Sequence, residues 1–155
     1  YSDKVMNNWF LCNSSHVVDL AFYLCGNPVQ ISPQISGMSK LSWHPSGSIF
    51  YGSGLTDTDA LFNYQANWTG PGRWGIEVIT PKRKLILKPL EELRVLEMDS
   101  LIPEKIELKD EIDFSYKPGL FLQTQSFIES NESRLCSIFD QERSIKYFNL
   151  ISGYK

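Results

Sequence analysis

Two residue types with acid–base chemistry stand close together near the start of the chain. His16 and Asp19 lie three positions apart in N-S-S-H-V-V-D-L-A-F-Y-L-C-G-N-P, residues 13–28. Three positions is one helical turn, so on a helix the imidazole and the carboxylate share a face. Two readings follow. The pair satisfies itself or the nearby backbone, or His16 is presented to something outside the chain as an acid–base group. At a helix N-terminus the dipole disfavours imidazolium and keeps the ring neutral, suited to accept a proton. Asp19 would then orient that ring rather than react.

Other chemistry is sparse. His44, in S-W-H-P-S-G, reads as a loop residue before a proline. No Gly-rich phosphate loop joins a strand to a helix, because G-S-G at 52–54 lies inside a β stretch. No His/Cys cluster has metal-ligand spacing, so no metal is expected. No nucleophile elbow is present. Arg73, beside the turn T-G-P-G, reads as a solvated hairpin arginine or as a bidentate holder of a substrate carboxylate or phosphate. Trp68 and Trp74 read as sheet-face packing, with stacking on a sugar as the alternative.

The elements that must position these residues are legible in outline. Ser14 or Ser15 can cap a helix running to Leu24 or Cys25, with Gly26 as its C-terminal cap and Pro28 as a stop. Residues 4–12 read as a short strand leading into it. The helix has hardly any polar face, which predicts packing on more than one side. From Val29 the pattern alternates, and strand-like segments recur at 29–38, 48–55, 59–68, 73–80 and 83–89, separated by T-D-T-D, T-G-P-G and T-P-K-R. Residues 91–98 and 104–108 are weaker strand candidates, the first with an edge-like alternation of Leu93 and Val95 with charges. Short gaps favour antiparallel neighbours, and T-G-P-G-R reads as a hairpin loop. From Pro118 the period turns helical, with Leu120, Phe121, Thr124, Phe127 and Ile128 in one stripe. A last helix over about 139–151 should bury Phe139, Ile145, Phe148 and Ile151. The predicted class is α+β, a mostly antiparallel open sheet with helices on one face.

Composition limits the partners. The 155 residues suggest one domain, 1–155, with a real core. The formal charge is −3 with no basic stripe, which argues against nucleic acid. No apolar run approaches a membrane span of ~20 residues, so no membrane partner is expected. Cys12, Cys25 and Cys136 are odd in number and lie among apolar neighbours. Buried free thiols in a reducing, cytoplasmic setting are expected.

The run from Asn13 to Pro28 resembles the helix that opens the C-terminal domain of the Gfo/Idh/MocA oxidoreductases, the glucose–fructose oxidoreductase and inositol dehydrogenase family. His16, Asp19, Leu20, Gly26 and Pro28 match its pattern Asp-x-Gly-x-His-x-x-Asp-Leu followed by Gly-x-Pro. The strands around E-V-I-T-P-K-R-K-L-I-L and the terminal helix ending in I-S-G-Y agree with it. The resemblance implies a dihydrodipicolinate reductase-like C-terminal fold. It also implies the substrate-binding and assembly half of an enzyme that passes a hydride between NAD or NADP and a sugar, nucleotide-sugar or cyclitol hydroxyl. His16 would be catalytic and Asp19 its support, with Asn13, Trp9, Asn8 and Arg73 lining the substrate pocket. The cofactor would be held mainly by an N-terminal Rossmann domain that this chain lacks, and a chain opening on Tyr1 reads as a piece of something longer. The fragment alone should then be inactive and bind no dinucleotide, and a homo-oligomer would form through the sheet face. The departures fall just upstream of the histidine. Cys12 stands at the family's acid, Ser14 at its glycine, and Asn13 is the nearest polar residue to the acid's place. The other class open to the chain is a non-catalytic binding or oligomerisation module on the same α+β sheet.

Overall fold

The computed structural model describes residues 1–154. Five helices and seven strands follow in the order α1 (Asp3–Asn7), a π-helical turn (Phe10–Ser14), α2 (Ser15–Cys25), β1 (Pro28–Ser36), β2 (Ile49–Thr56), β3 (Leu61–Asn67), β4 (Ile76–Ile79), β5 (Arg83–Leu87), β6 (Leu93–Glu97), β7 (Glu104–Lys105), α3 (Glu111–Ser115), α4 (Leu120–Ile128), a 3₁₀ turn (Glu132–Arg134) and α5 (Ile138–Ser152). The class is α+β, and every strand pair is antiparallel. The strands form two sheets rather than one, β1-β2-β3 and β4-β5-β6-β7. T-G-P-G-R is therefore not a hairpin, because β3 and β4 do not pair. The chain correspondingly divides into two compact units: residues 1–73 with the C-terminal stretch from Arg143, and residues 74–142.

In the first unit the period-2 pattern sets the sheet's two faces. Ile31, Pro33 and Ile35 of β1 lie opposite Gly54, Gly52 and Phe50 of β2, and these lie opposite Phe62, Tyr64 and Ala66 of β3. That face meets a core of Phe10, Phe148 and Ile151, with Leu11, Val18, Phe22, Trp68 and Tyr154 packed around it. Each fully buried Phe or Ile side chain contributes about 1.5–3 kcal/mol relative to exposure. The two glycines of G-S-G have a packing reason rather than a phosphate-binding one. A Cβ on Gly52 would sit 2.6 Å from both the Ser32 carbonyl and the Tyr64 hydroxyl, and one on Gly54 would run into the Gln30 carbonyl and the Phe62 ring. The cross-strand aromatic rings need the space the glycines leave.

Helix α2 is pinned at its C-terminus by the T-D-T-D turn. Thr58 Oγ1 donates to the Cys25 carbonyl at 2.5 Å, and Asp57 accepts from the Asn27 backbone N–H at 2.9 Å and from its side-chain amide at 3.2 Å. Gly26, at φ +98°, turns the chain into β1. Helix α2 is only partly covered: Val17 to Phe22 are half-buried, Phe22 meets Phe62 of β3 and Tyr147 of α5 edge-on, and Tyr23 and Leu24 face solvent.

In the second unit Ile76, Leu87 and Leu93 align across one face, with Val78, Leu85 and Val95 beside them. Strand β6 is interior to this sheet rather than an edge, and Val95 is buried. The stripe on α4 is solvent-facing: Phe127 and Ile128 are each 75% exposed. Of the residues expected to be buried on α5, Phe148 and Ile151 are, whereas Phe139 and Ile145 are exposed. Cys12 and Cys136 are exposed and Cys25 is only half-buried, against the expected burial.

Candidate functional site

The segment carrying His16 differs from the expected capped helix in a way that changes its chemistry. Residues 4–12 are not a strand. They wind as α1 and then as the π turn that runs straight into α2. An apolar run of this length fits either state, and tertiary packing of Phe10 into the core decides it. Ser14 is itself helical (φ −71°, ψ −20°), and its side chain caps nothing. Ser15 does not cap either, since its Oγ donates backwards to the Leu11 carbonyl at 2.8 Å. His16 is thus not at a free helix terminus, and the dipole argument for a neutral ring loses most of its force, because that field belongs to unpaired first-turn N–H groups. Position and exposure remain. His16 faces solvent as the second residue of α2, Asp19 is half-buried one turn on, and Cys12 faces solvent one turn before. A single π turn inserted in an α-helix shifts the face that later residues present, and such turns recur at functional sites.

The predicted substrate residues separate into groups. Asn13 is half-buried within the π turn. Arg73 is exposed in the strand-free segment after β3, and nothing ties it to His16. Asn8 and Trp9 join a different cluster. Trp9 meets Tyr1 and Trp43 edge-on, with ring centres 5.7 and 6.2 Å apart. Asn8 lines an open pocket of about 390 Å3 with Asn7, Pro45, Ser46, Gly153 and Tyr154. Eight residues of nearly continuous helical winding separate Asn8 from His16, roughly 12 Å at 1.5 Å per residue.

Behind that pocket lies the residue that sequence reasoning undervalued. His44 is fully buried, enclosed by the rings of Trp43, Phe50, Trp68 and Tyr154. Its Nδ1 lies 2.7 Å from the Gly47 carbonyl and its Nε2 lies 2.5 Å from the Tyr154 hydroxyl. A carbonyl only accepts, so Nδ1 carries the proton. Nε2 of the neutral ring is then an acceptor, and the Tyr154 O–H donates to it. The Tyr154 oxygen in turn accepts from the Phe10 backbone N–H at 3.2 Å. One proton arrangement satisfies every member of the chain Phe10–Tyr154–His44–Gly47. Burial pushes the Tyr154 phenol up to about 12, with the Phe10 N–H working in the opposite direction and the nearby Cys12 thiol adding to the rise. The only signal available in sequence was aromatic density around S-W-H-P.

Tyr64 is the second perturbed phenol. Burial raises it to about 12, and its Oη has no hydrogen-bond partner among the described residues. Neither tyrosine is a base at neutral pH; Tyr154 acts as a neutral hydrogen-bonding group, while Tyr64 is a buried neutral phenol.

Among the described residues no three His, Cys, Asp or Glu side chains gather where they could hold a metal ion. No described helix is long and apolar enough to cross a membrane. With every strand pair antiparallel, no parallel βαβ crossover exists among the described residues to bring a glycine-rich turn under a pyrophosphate. No protein-family model, curated protein or solved structure matches the chain.

Proposed function

We propose that this chain is the substrate-binding and assembly half of a nicotinamide-dependent oxidoreductase acting on a hydroxyl of a sugar, nucleotide sugar or cyclitol. The observation that carries the reading is the exposed imidazole of His16, one turn ahead of Asp19, on a helix pinned to an antiparallel sheet by Asp57 and Thr58. It is joined by the pattern His16, Asp19, Leu20, Gly26 and Pro28. In this reading His16 accepts the proton of the substrate hydroxyl or holds its oxygen. Asn13, standing near the family's acid, can orient that oxygen but cannot transfer a proton. NAD or NADP would be held mainly by a separate nucleotide-binding domain. His16→Ala in the full-length protein should lower kcat by about 10²–10⁴-fold, the usual scale for general acid–base catalysis, and leave cofactor affinity unchanged. Unaltered turnover removes His16 from the reaction.

A second reading, a non-catalytic binding or oligomerisation module, is favoured by the outer face of the first sheet. Ser32, Ser53 and Asn63 lie abreast there, as do Gln34, Tyr51 and Gln65. All six are exposed and none is Asp, Glu, Lys, Arg or His. Such a face can meet a second copy of itself without like-charge repulsion or the desolvation of buried charge.

A further inference from the structure

The first sheet treats its two edges differently. Strand β1 carries Pro28 and Pro33, which have no N–H to offer, and a bulge between Pro28 and Gln30. Prolines and bulges both keep an edge from pairing with another chain. The edge strands of the second sheet are short, four residues in β4 and two in β7. Strand β3 has none of these defences. It runs for seven residues, L-F-N-Y-Q-A-N, without proline or glycine. No Asp, Glu, Lys, Arg or His lies between Asp59 and Arg73.

The ladder decides which backbone groups β3 leaves unused. Directly opposed residues of an antiparallel pair alternate between exchanging both bonds and exchanging none. The Trp68 N–H donates to the Ser48 carbonyl at 2.9 Å and the Thr56 N–H to the Ala60 carbonyl at 3.0 Å, both in the β2–β3 register. The bonded pairs between them are therefore Phe50–Ala66, Gly52–Tyr64 and Gly54–Phe62. Leu61, Asn63, Gln65 and Asn67 turn their N–H and C=O groups away from β2. The Asn67 carbonyl accepts from the Gly70 N–H at 3.4 Å. The outward groups of Leu61, Asn63 and Gln65 meet no partner among the described residues, and all three residues are exposed.

We propose that β3 pairs edge to edge with β3 of a second copy, antiparallel about a two-fold axis at Asn63. In that register Asn63 faces Asn63 of the second copy, and Leu61 faces Gln65 of the second copy. Each pair exchanges both bonds, so every outward N–H and C=O of the three residues is satisfied. The strand is complementary to itself: no charge meets its like, and the two Asn63 amides each bring a donor and an acceptor. On the inner face Phe62 stands beside Tyr64 of the second copy, an aromatic pair of the kind that stabilises adjacent strands. The merged sheet ends on the blunted β1 at both sides, so growth stops at two copies. A pair of short strands buries little, in the class below ~1,200 Å² where transient complexes fall. Its Kd should be about 0.1–1 mM, which leaves the contact open at micromolar concentration. It is separate from the outer face of this sheet and stands whether or not that face associates.

The test uses the Ser53→Arg chain, in which association through the outer face is removed. The two added charges would lie three strand spacings apart in the merged sheet, about 14 Å, beyond the screening length of ~8 Å at physiological salt. Backbone amide exchange is followed by NMR from micromolar to millimolar chain. Protection at Leu61, Asn63 and Gln65 should rise with concentration, while Phe62, Tyr64 and Ala66, already bonded to β2, change little. Adding Asn63→Pro removes an N–H that bonds nothing within the chain, so the internal ladder stays complete. Association should weaken by about tenfold, the loss of two hydrogen bonds. Asn63→Lys instead sets like charges directly opposite at the axis. It should weaken association by a similar factor, partly restored by high salt, and it keeps the test decisive if the proline variant fails to fold. The proposal is overturned if exchange at the three amides is independent of concentration, or if a folded Asn63→Pro or Asn63→Lys chain associates as tightly as its parent.

Discussion

At the scale of single residues, the side chain that attracts the eye in the sequence and the one that anchors the structure are different histidines. His16 is conspicuous because a polar ring interrupts an apolar run, and it is indeed exposed. His44 is inconspicuous because its partners come from far away: the Tyr154 hydroxyl lies 110 positions on, and no local pattern encodes that meeting. The dipole argument for His16 failed for a related reason, since the winding of residues 10–14 depends on Phe10 entering the core. The phenols give a direct check. Tyr64 and Tyr154 are raised from 10.0 to about 12 by burial, so both stay protonated in the folded chain at pH values where the unfolded chain ionises. Their folded values lie above their unfolded ones. The associated stability is therefore complete below about pH 10 and is lost as pH climbs towards 12. Absorbance titration near 295 nm should resolve two of the seven tyrosines ionising late, and chemical unfolding should show stability falling over the same window. Titration of all seven phenols together near 10 would contradict the buried network.

At the scale of elements, the strands were the most legible part and the packing of helices the least. Period-2 alternation located β1, β2 and β3 to within a few residues because one face of each is covered and the other wet. Helical periodicity located α4 and α5 but misassigned burial at Phe139 and Ile145, since a stripe of apolar residues records a preference and not a partner. The G-S-G of β2 illustrates what a strand sequence withholds. The glycines read only as part of a β stretch, yet each lies under an aromatic ring from β3. Gly52→Ala should cost about 1–3 kcal/mol, the usual range for overpacking a filled site, because the new methyl meets the Ser32 carbonyl as well as the movable Tyr64 ring. Urea unfolding measures this directly. A neutral or stabilising substitution would mean that Tyr64 does not lie over the strand.

At the scale of the whole molecule, charge is distributed unevenly in a way that composition alone concealed. Residues 1–73 carry only Lys4, Lys40, Arg73, Asp3, Asp19, Asp57 and Asp59 as ionised groups, while the second unit holds most of the remainder. In the second unit Arg83–Glu97, Lys84–Glu77 and Lys105–Glu92 form surface ion pairs, each worth little in water. The uncharged outer face of the first sheet is where self-association is expected. Sedimentation equilibrium should find a dimer that Ser53→Arg dissociates, since a charge at the centre of that face would meet its own copy. A chain that sediments as a monomer before any substitution would rule out assembly through this face. A single net charge of −3 gave no hint of the asymmetry, and the separation into two sheets turned on a Thr-Gly-Pro-Gly stretch that reads equally well as a turn.

The bond between the Phe10 N–H and the Tyr154 hydroxyl joins residues 144 positions apart, and Phe148 and Ile151 complete the core that Phe10 begins. A ribosome making this chain therefore releases the first sheet and α2 long before the groups that cover them exist. Until α5 and Tyr154 emerge, Phe10, Phe22 and Trp68 lack their closing partners, and the nascent chain presents them to the cell. The interval between the synthesis of β3 and that of α5, more than the strength of any one contact, sets how long these apolar groups stay uncovered.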